Sequence, residues 1–545
     1  MSDPVLTQRD KIRGMLKHAL IVLFVAVASL QAQVSFDRIL QAGKEPQNWL
    51  TYSGNVSGQR HSLLTQVTPG NVKNLELQWV WQARSLEKFE ATPLVVDGVM
   101  YTVQAPNDVV ALDAATGRIY WTLPYTPSAD GRNCCGRVNR GLAILGNTLF
   151  MGTLDAHLIA IDARTGKKVW DTEVAKAADR YTITHAPLVV KDKVLVGTAG
   201  GDGPIRGQIA AFDAKTGKEI WRIFTIPGPG EPGNDTWAGD SWKIGGVGLW
   251  NTPGYDPETN LTFWGTGNPS PDWNGASRLG DNLYSDSVLA LDADTGKMKW
   301  YYQFTPHDEM DYDSTQVTVL ADIEWQGQLR KVLMLANRNG LMYVIDRTNG
   351  QFLKGWPFVK VNWMDGFEPN GRPRRVAGMV PTPGGVVITP TVLGATNWYP
   401  PSYSPKTGLF YVSSWENTGT IADGNFPRAT GDTPMGNVNL IPNLKKEEEG
   451  FGAVRAFDPK TGEKKWEYKM NDITWAGVLS TTTDLVFSGG REGYFFALNA
   501  RNGELLWKLN LGGQVNSGPM SYAVNGRQYI AVSAGQSLYS FALRQ

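Results

Sequence analysis

The sequence predicts an all-β fold, an eight-bladed β-propeller with tryptophan-docking-type repeats, on three observations. The first is a repeated frame, seen most completely in Ala290-Leu291-Asp292-Ala293-Asp294-Thr295-Gly296-Lys297-Met298-Lys299-Trp300, with copies that begin at Ala111, Ala160, Ala211 and Ala456 and end on Trp121, Trp170, Trp221 and Trp466. The second is its spacing: marks at Asp113, Asp162, Asp213, Asp292, Asp346, Asp458 and Asn499 recur at about 40 to 55 residues, apart from two longer intervals, and such a period of short strands signals a propeller. The third is composition: 60 Gly, 20 Trp and only 19% charged residues suit a turn-rich all-β chain.

Each frame reads as strand, tight turn, strand. The Ala and Asp share a face at period two, and the glycine supplies the positive φ of a hairpin bulge. The copy at 344–350 lacks the Trp; the copy at 497–503 has lost the Asp and Thr but ends on Trp507. The interval from Asp213 to Asp292 reads as one blade with an insertion. The interval from Asp346 to Asp458 has room for a further unit, and 403–411 is taken as its worn remnant, which brings the count to eight. The Gly-His and Trp-Asp marks of WD40 repeats are absent.

Arg9, Lys11, Arg13 and Lys17 precede an apolar run at 19–30 and then small residues. This is the order of a secretory signal peptide, with cleavage after Ala28 or Ala32 and a periplasmic destination; the run is short for an uncleaved anchor, so no stable membrane span is expected. The expected organisation is a signal peptide at 1–32 and one propeller domain at 33–545. Lysine plus arginine equals aspartate plus glutamate at 52 each, which gives no basic footprint for nucleic acid. A strand at 72–81 is expected to close the ring against the C-terminus.

The two cysteines, Cys134 and Cys135, are adjacent, and no Cys-x-x-Cys-His haem motif or zinc spacing exists. In an oxidising compartment they would pair in a strained ring, or remain two buried thiols. Arg140, six residues on, suits bidentate carboxylate recognition or a plain salt bridge. Glu90 and Thr184 precede the apolar runs 94–96 and 188–190, where polar side chains reach a propeller axis. The glycine-rich stretch 197–207 lacks a phosphate loop's Lys-Ser/Thr; Gly200 and Gly201 permit close approach to something flat or make a tight turn, with Asp202 beside them. Trp250 and Asn268 follow in the insertion, the amide oxygen being a hard ligand. Asp311 and Asp313 share a face in an extended segment and would each resist ionising without a cation between them. Arg338 offers a fixed cation, and Asn397, Trp398 and Trp475 add an amide and aromatic faces.

Together, the Trp repeats, Cys134-Cys135-Gly136-Arg137-Val138-Asn139-Arg140-Gly141, Gly267-Asn268-Pro269, Pro306-His307-Asp308 through Asp311, and Arg338-Asn339-Gly340 resemble the pyrroloquinoline-quinone (PQQ)-dependent alcohol dehydrogenases over nearly the whole chain after the signal region. The resemblance implies a Cys134-Cys135 disulfide ring on one face of the quinone and Trp250 on the other. It implies that Arg140, Glu90, Thr184, Asn397 and the backbone at Gly200 and Gly201 hold the cofactor's carboxylates and edge oxygens, with Trp398 and Trp475 beside it. Asn268, Asp202, Asp311 and Asp313 would bind a metal ion, Asp311 would be the general base, and Arg338 would contact the quinone oxygens. Asp202 stands where the family usually has Glu, which puts its direct ligation in doubt. Asp313 resembles the extra carboxylate of lanthanide-using members, and three carboxylates place a trivalent lanthanide slightly ahead of Ca2+. The implied substrate is a small alcohol of unspecified class and the implied acceptor a separate periplasmic cytochrome c; a homo-oligomer is possible. Residues 363–379, with Arg372, Arg374 and Arg375, are expected to roof the pocket. The rival reading is a non-catalytic propeller that binds a protein partner in envelope assembly.

Overall fold

A computed structural model describes residues 34–130, 135–421, 441–442 and 451–544; the predicted signal region lies outside these. Eight sheets form the blades, at 94–123, 143–173, 188–224, 254–303, 319–357, 402–470 and 479–510, with blade 8 made of 75–82 and 520–543; each has four antiparallel strands, and blade 7 gains a fifth, His61–Ser62, parallel to Leu479–Thr481. The first strand of each blade is buried and the fourth is exposed: Leu94–Val96 is wholly inside, whereas Ile119–Leu123 alternates with solvent. The first strands therefore line the axis. One short helix, Phe36–Leu40, is present among the described residues.

The repeated frame makes the joint between blades. In each copy the turn aspartate accepts backbone N–H bonds, as Asp292 Oδ1 does from Asp294 and Thr295, and the strands shift register by a bulge before the glycine. The indole of one blade then lies on the glycine of the next: a Cβ on Gly296 would sit 2.6 Å from the Trp221 ring, so the turn needs glycine for contact as well as for its φ of +70°. The same indole donates to a carbonyl of that next turn, Trp121 to Ala163 at 3.1 Å, Trp170 to Ala214 at 3.2 Å, Trp221 to Ala293 at 3.2 Å and Trp466 to Ala500 at 2.9 Å.

Three expectations need correction. The stretch 403–411 is not a blade of its own: Ser402–Ser404 and Leu409–Glu416 are the two inner strands of blade 6, whose outer pair carries the Ala456 repeat. The eighth blade is instead the closure, in which Leu75–Gln82 pairs antiparallel with Ser537–Leu543; this strand starts later than predicted because 72–74 form a 3-10 turn. Blade 5 does have a docking tryptophan, two residues beyond the frame: Trp356 packs on Gly462 and Phe457 of blade 6, although its indole N–H has no partner.

Residues 56–60 tie the ring across its centre. Successive carbonyls accept from one blade after another: Val56 from Tyr255 of blade 4 at 2.9 Å, Ser57 from Leu320 of blade 5 at 2.8 Å, Gln59 from Tyr403 of blade 6 at 2.9 Å and Arg60 from Ser480 of blade 7 at 3.2 Å. The Arg60 guanidinium, wholly buried, completes the circuit through Pro519 O at 2.9 Å next to blade 8 and Thr92 Oγ1 at 3.0 Å next to blade 1.

Candidate active site

In an antiparallel four-stranded blade, the entry to the first strand and the turn between the second and third strands lie at the same end. The Trp-docking turns, between third and fourth strands, lie at the other. Glu90, Cys135, Arg140, Thr184, Trp250, Asp311, Asp313, Asn397, Trp398 and Trp475 all precede first strands; Gly200, Gly201, Asp202, Asn268 and Arg338 all sit in second-to-third turns. Topology thus sends every one of them to one end of the ring, where they line a single cavity of about 350 Å³. Cys134 lies outside the described residues.

The sequence reading did not single out Lys88, Thr182 and Leu393, which also line this cavity. Nor did it single out Asp272, buried immediately behind Asn268. Residues 363–379 do not line it. Their arginines are taken up elsewhere, Arg372 by Asp281 at 2.6 Å, Arg374 by Asp365 at 3.1 Å and Arg375 by Glu309 at 2.9 Å, and the loop bearing Leu393, Asn397 and Trp398 forms that wall instead. The glycines have a packing reason of their own: a Cβ on Gly201 would meet the backbone nitrogen of Gly248 at 2.7 Å.

One side of the cavity is built around Arg140. It pairs with Glu90 at 2.9 Å and donates to Thr184 Oγ1 at 3.1 Å and to Trp250 O at 2.9 Å, and its guanidinium stands 5.2 Å and 5.3 Å from the Trp250 and Trp398 rings. Its buried Nε has no partner. Burial pushes the Glu90 carboxyl above its ordinary range, and Arg140 pulls it back.

The other side is acidic. Arg338 binds Asp311 Oδ2 at 2.8 Å and also grips Asp313, while Asp313 Oδ1 accepts from Trp250 Nε1 at 3.2 Å and from the Asn268 N–H at 3.1 Å. With both oxygens engaged, Asp313 contributes charge more readily than a free ligand atom. Asp311 keeps Oδ1 buried and unpartnered, on a backbone with φ of +59°. Burial holds Asp311 well above the usual carboxylate range, opposed by Arg338 and reinforced by Asp313. Asp202 is pushed up to about 6 by burial and then by Asp313, and Asp272 rises through burial, Asp202 and Asp313.

Four aspartates, with Arg338 between two of them and Arg278 behind Asp272, leave an excess of negative charge that a bound cation would relieve. Among the described residues, no three His, Cys, Asp or Glu side chains are drawn together into a ready ligand cluster. Asp202, Asp311 and Asn268 nevertheless line the same cavity and would be the residues to hold a cation there. The arginine side, with a free buried donor between two indoles, fits a flat anionic group.

The chain matches known proteins along most of its length. The family model for the glucose/ethanol/alcohol dehydrogenase β-propeller domain, PQQ, matches residues 49–362, and that for outer membrane protein assembly factor BamB matches 450–544, in the blades that share the repeat. The chain is 39% identical to the quinoprotein alcohol dehydrogenase PedH of Pseudomonas putida over 92% of its own length and 89% of that protein's. It is 35% identical to the lanthanide-dependent methanol dehydrogenase of Methylacidiphilum fumariolicum over 95% of its length and 89% of the relative's. It superposes on a solved europium-containing methanol dehydrogenase with a TM-score of 0.87 at 33% identity, covering 93% of this chain and all of that one. An eight-bladed ring, a cavity with one side built around Arg140 and the other acidic, and identity at this level along most of the chain place it among the PQQ-dependent alcohol dehydrogenases, quinoprotein oxidoreductases acting on CH–OH groups.

Proposed function

We propose that Asp311 is the general base for oxidation of an alcohol to an aldehyde or ketone in this cavity. The observation that carries this is the unpartnered buried Oδ1 of Asp311, at the wall of the cavity, with Oδ2 tethered to Arg338. When bound, PQQ supplies the two-electron acceptor for the alcohol's hydride, and the metal ion a Lewis acid beside it. The chain's own part is to bind, orient and take a proton. Arg140, Glu90, Thr184, Asn397 and the backbone at Gly200 and Gly201 hold the quinone's carboxylates and edge oxygens. Trp250 and a Cys134-Cys135 disulfide would flank the quinone, with Trp398 and Trp475 alongside.

Arg338 Nη2 fixes the Asp311 carboxylate through Oδ2, and the unpartnered Oδ1 would take the hydroxyl proton. Asp202, the Asn268 amide oxygen and Asp311 hold the metal ion, and Asp313 adds its charge. Three carboxylates favour a trivalent lanthanide slightly over Ca2+, and two of the similar proteins carry a lanthanide in their names. The apolar run at 19–30 behind a basic start supports export to the periplasm. The absence of a haem-attachment motif supports a separate cytochrome c as electron acceptor. Among the described residues no helix is long and apolar enough to cross a membrane.

The test is Asp311→Asn, assayed by dye reduction with a series of alcohols and by the absorbance of bound PQQ. The expected result is loss of turnover by at least about a hundredfold with cofactor retained; a normal rate in the variant overturns the base assignment.

A further inference from the structure

Asp272 has no part in the reaction as described above. It is 2% exposed and does not line the cavity. Its Oδ1 accepts a hydrogen bond from Asn268 Nδ2 at 2.8 Å, and the same nitrogen reaches Pro269 O at 3.4 Å. The Pro269 carbonyl can only accept, and so does the Asp272 carboxylate when ionised, so the amide nitrogen of Asn268 is the atom that faces this pair. The amide has one other polar atom, and with the nitrogen committed behind the wall, Oδ1 is the atom left for the cavity that Asn268 lines. Turning the amide over would set oxygen against carboxylate and present two N–H donors to the site.

The support behind Asp272 is rigid. Arg278 is fully buried; it donates from Nη2 to the Asp272 carbonyl at 3.1 Å, from Nε to Pro271 O at 3.0 Å and from Nη1 to Asn282 Oδ1 at 2.9 Å. The loop that joins Asn268 to Asp272 is thereby clamped at its Pro271-Asp272 end, which holds the backbone that carries the carboxylate.

We propose that Asp272 is a positioning residue which locks the Asn268 amide with its oxygen toward the cavity, and so makes that wall a cation ligand. This rests on the reading of the cavity as a metal site. Outer-shell partners of this kind typically govern metal affinity by ten- to a hundredfold.

The test compares Asp272→Asn with Asp272→Leu in protein stripped of metal by chelation, supplied with PQQ and titrated with Tb3+, read by luminescence sensitised through the cavity tryptophans. Asparagine keeps an oxygen that accepts from Asn268 Nδ2; leucine has similar volume and no acceptor. The expected result is affinity within about threefold of wild type for Asn and at least about tenfold weaker for Leu. Equal weakening of the two variants would mean that Asp272 acts through charge alone, and unchanged binding in both would mean that it does not act on the site; either overturns the proposal. Should Asp272→Leu fail to fold by circular dichroism, Asp272→Ser, whose short hydroxyl cannot span to Asn268, takes its place with the same expected loss. Wild-type protein that takes up no Tb3+ would instead sink the metal-site reading, which separates the two failures.

Discussion

His185 is buried, His61 is half-buried, and both rings are neutral. The Gly197 N–H donates to His185 Nε2 at 2.9 Å, which places the ring proton on Nδ1, facing Ala186 O at 2.9 Å; His61 Nδ1 lies 2.8 Å from Ser480 Oγ. Burial lowers both rings to about 4. A base whose folded pKa is depressed is protonated first in the unfolded chain, so stability is full above about 6.5 and falls as pH drops from there to about 4. Each ring contributes a loss on the order of 3 kcal/mol across that window. In His61→Gln the drop in unfolding midpoint between pH 7 and pH 4.5 should be smaller than in wild type; an unchanged drop would show that His61 does not titrate in this way. The same chemistry sets what was legible one residue at a time. Adjacent cysteines, Asn268 before a proline and two aspartates one residue apart stand out by type and spacing. Asp272, Lys88 and Leu393 are ordinary residues whose meaning comes from what lies across the loop from them, which spacing does not encode.

The blade-to-blade joint belongs to the scale of elements. Trp466 is 6% exposed, rests on Gly503 and donates to Ala500 O. Trp466→Ala should cost roughly 3 to 5 kcal/mol, as large aromatic truncations in cores do, read as a shift in urea midpoint at constant slope. Gly503→Ala should be destabilising for a different reason, since its Cβ would meet the indole at 2.7 Å on a backbone with φ of +75°. A Gly503→Ala protein as stable as wild type would mean that the indole moves aside freely. This joint was readable because it repeats: a glycine and a tryptophan at fixed offset are a contact written twice in each unit. The remnant at 403–411 misled because it keeps the Thr-Gly turn of the motif but serves as the first hairpin of a blade. Blade 8 keeps a docking tryptophan, Trp79 on Gly117 of blade 1, but no turn frame before it, since its outer strand and its three inner ones come from opposite ends of the chain.

At the scale of the whole molecule, Arg60 carries a buried charge whose partners are carbonyls, a hydroxyl and the rings of Trp49 and Tyr52, each 5.6 Å away. Burial brings its pKa down to about 10. Arg60→Met keeps the length but strips the donors from four acceptors, and should cost about 3 kcal/mol or more, with protease sensitivity spreading to blades 1 and 8, which that side chain joins. Resistance equal to wild type would show that the backbone carbonyls of 56–60 suffice. None of this was visible in the sequence, because a hub that touches six blades through one contact each has no period.

The hub and the outer strand of blade 8 are translated first, yet several of their partners, the last of them Ser537–Leu543, are translated last. At about 5 to 20 residues per second, a ribosome leaves Leu75–Gln82 without its mate for tens of seconds. During that time the strand is an open edge of the kind that recruits other chains. Any factor that shields nascent residues 75–82 should raise the yield of active enzyme without altering the finished molecule.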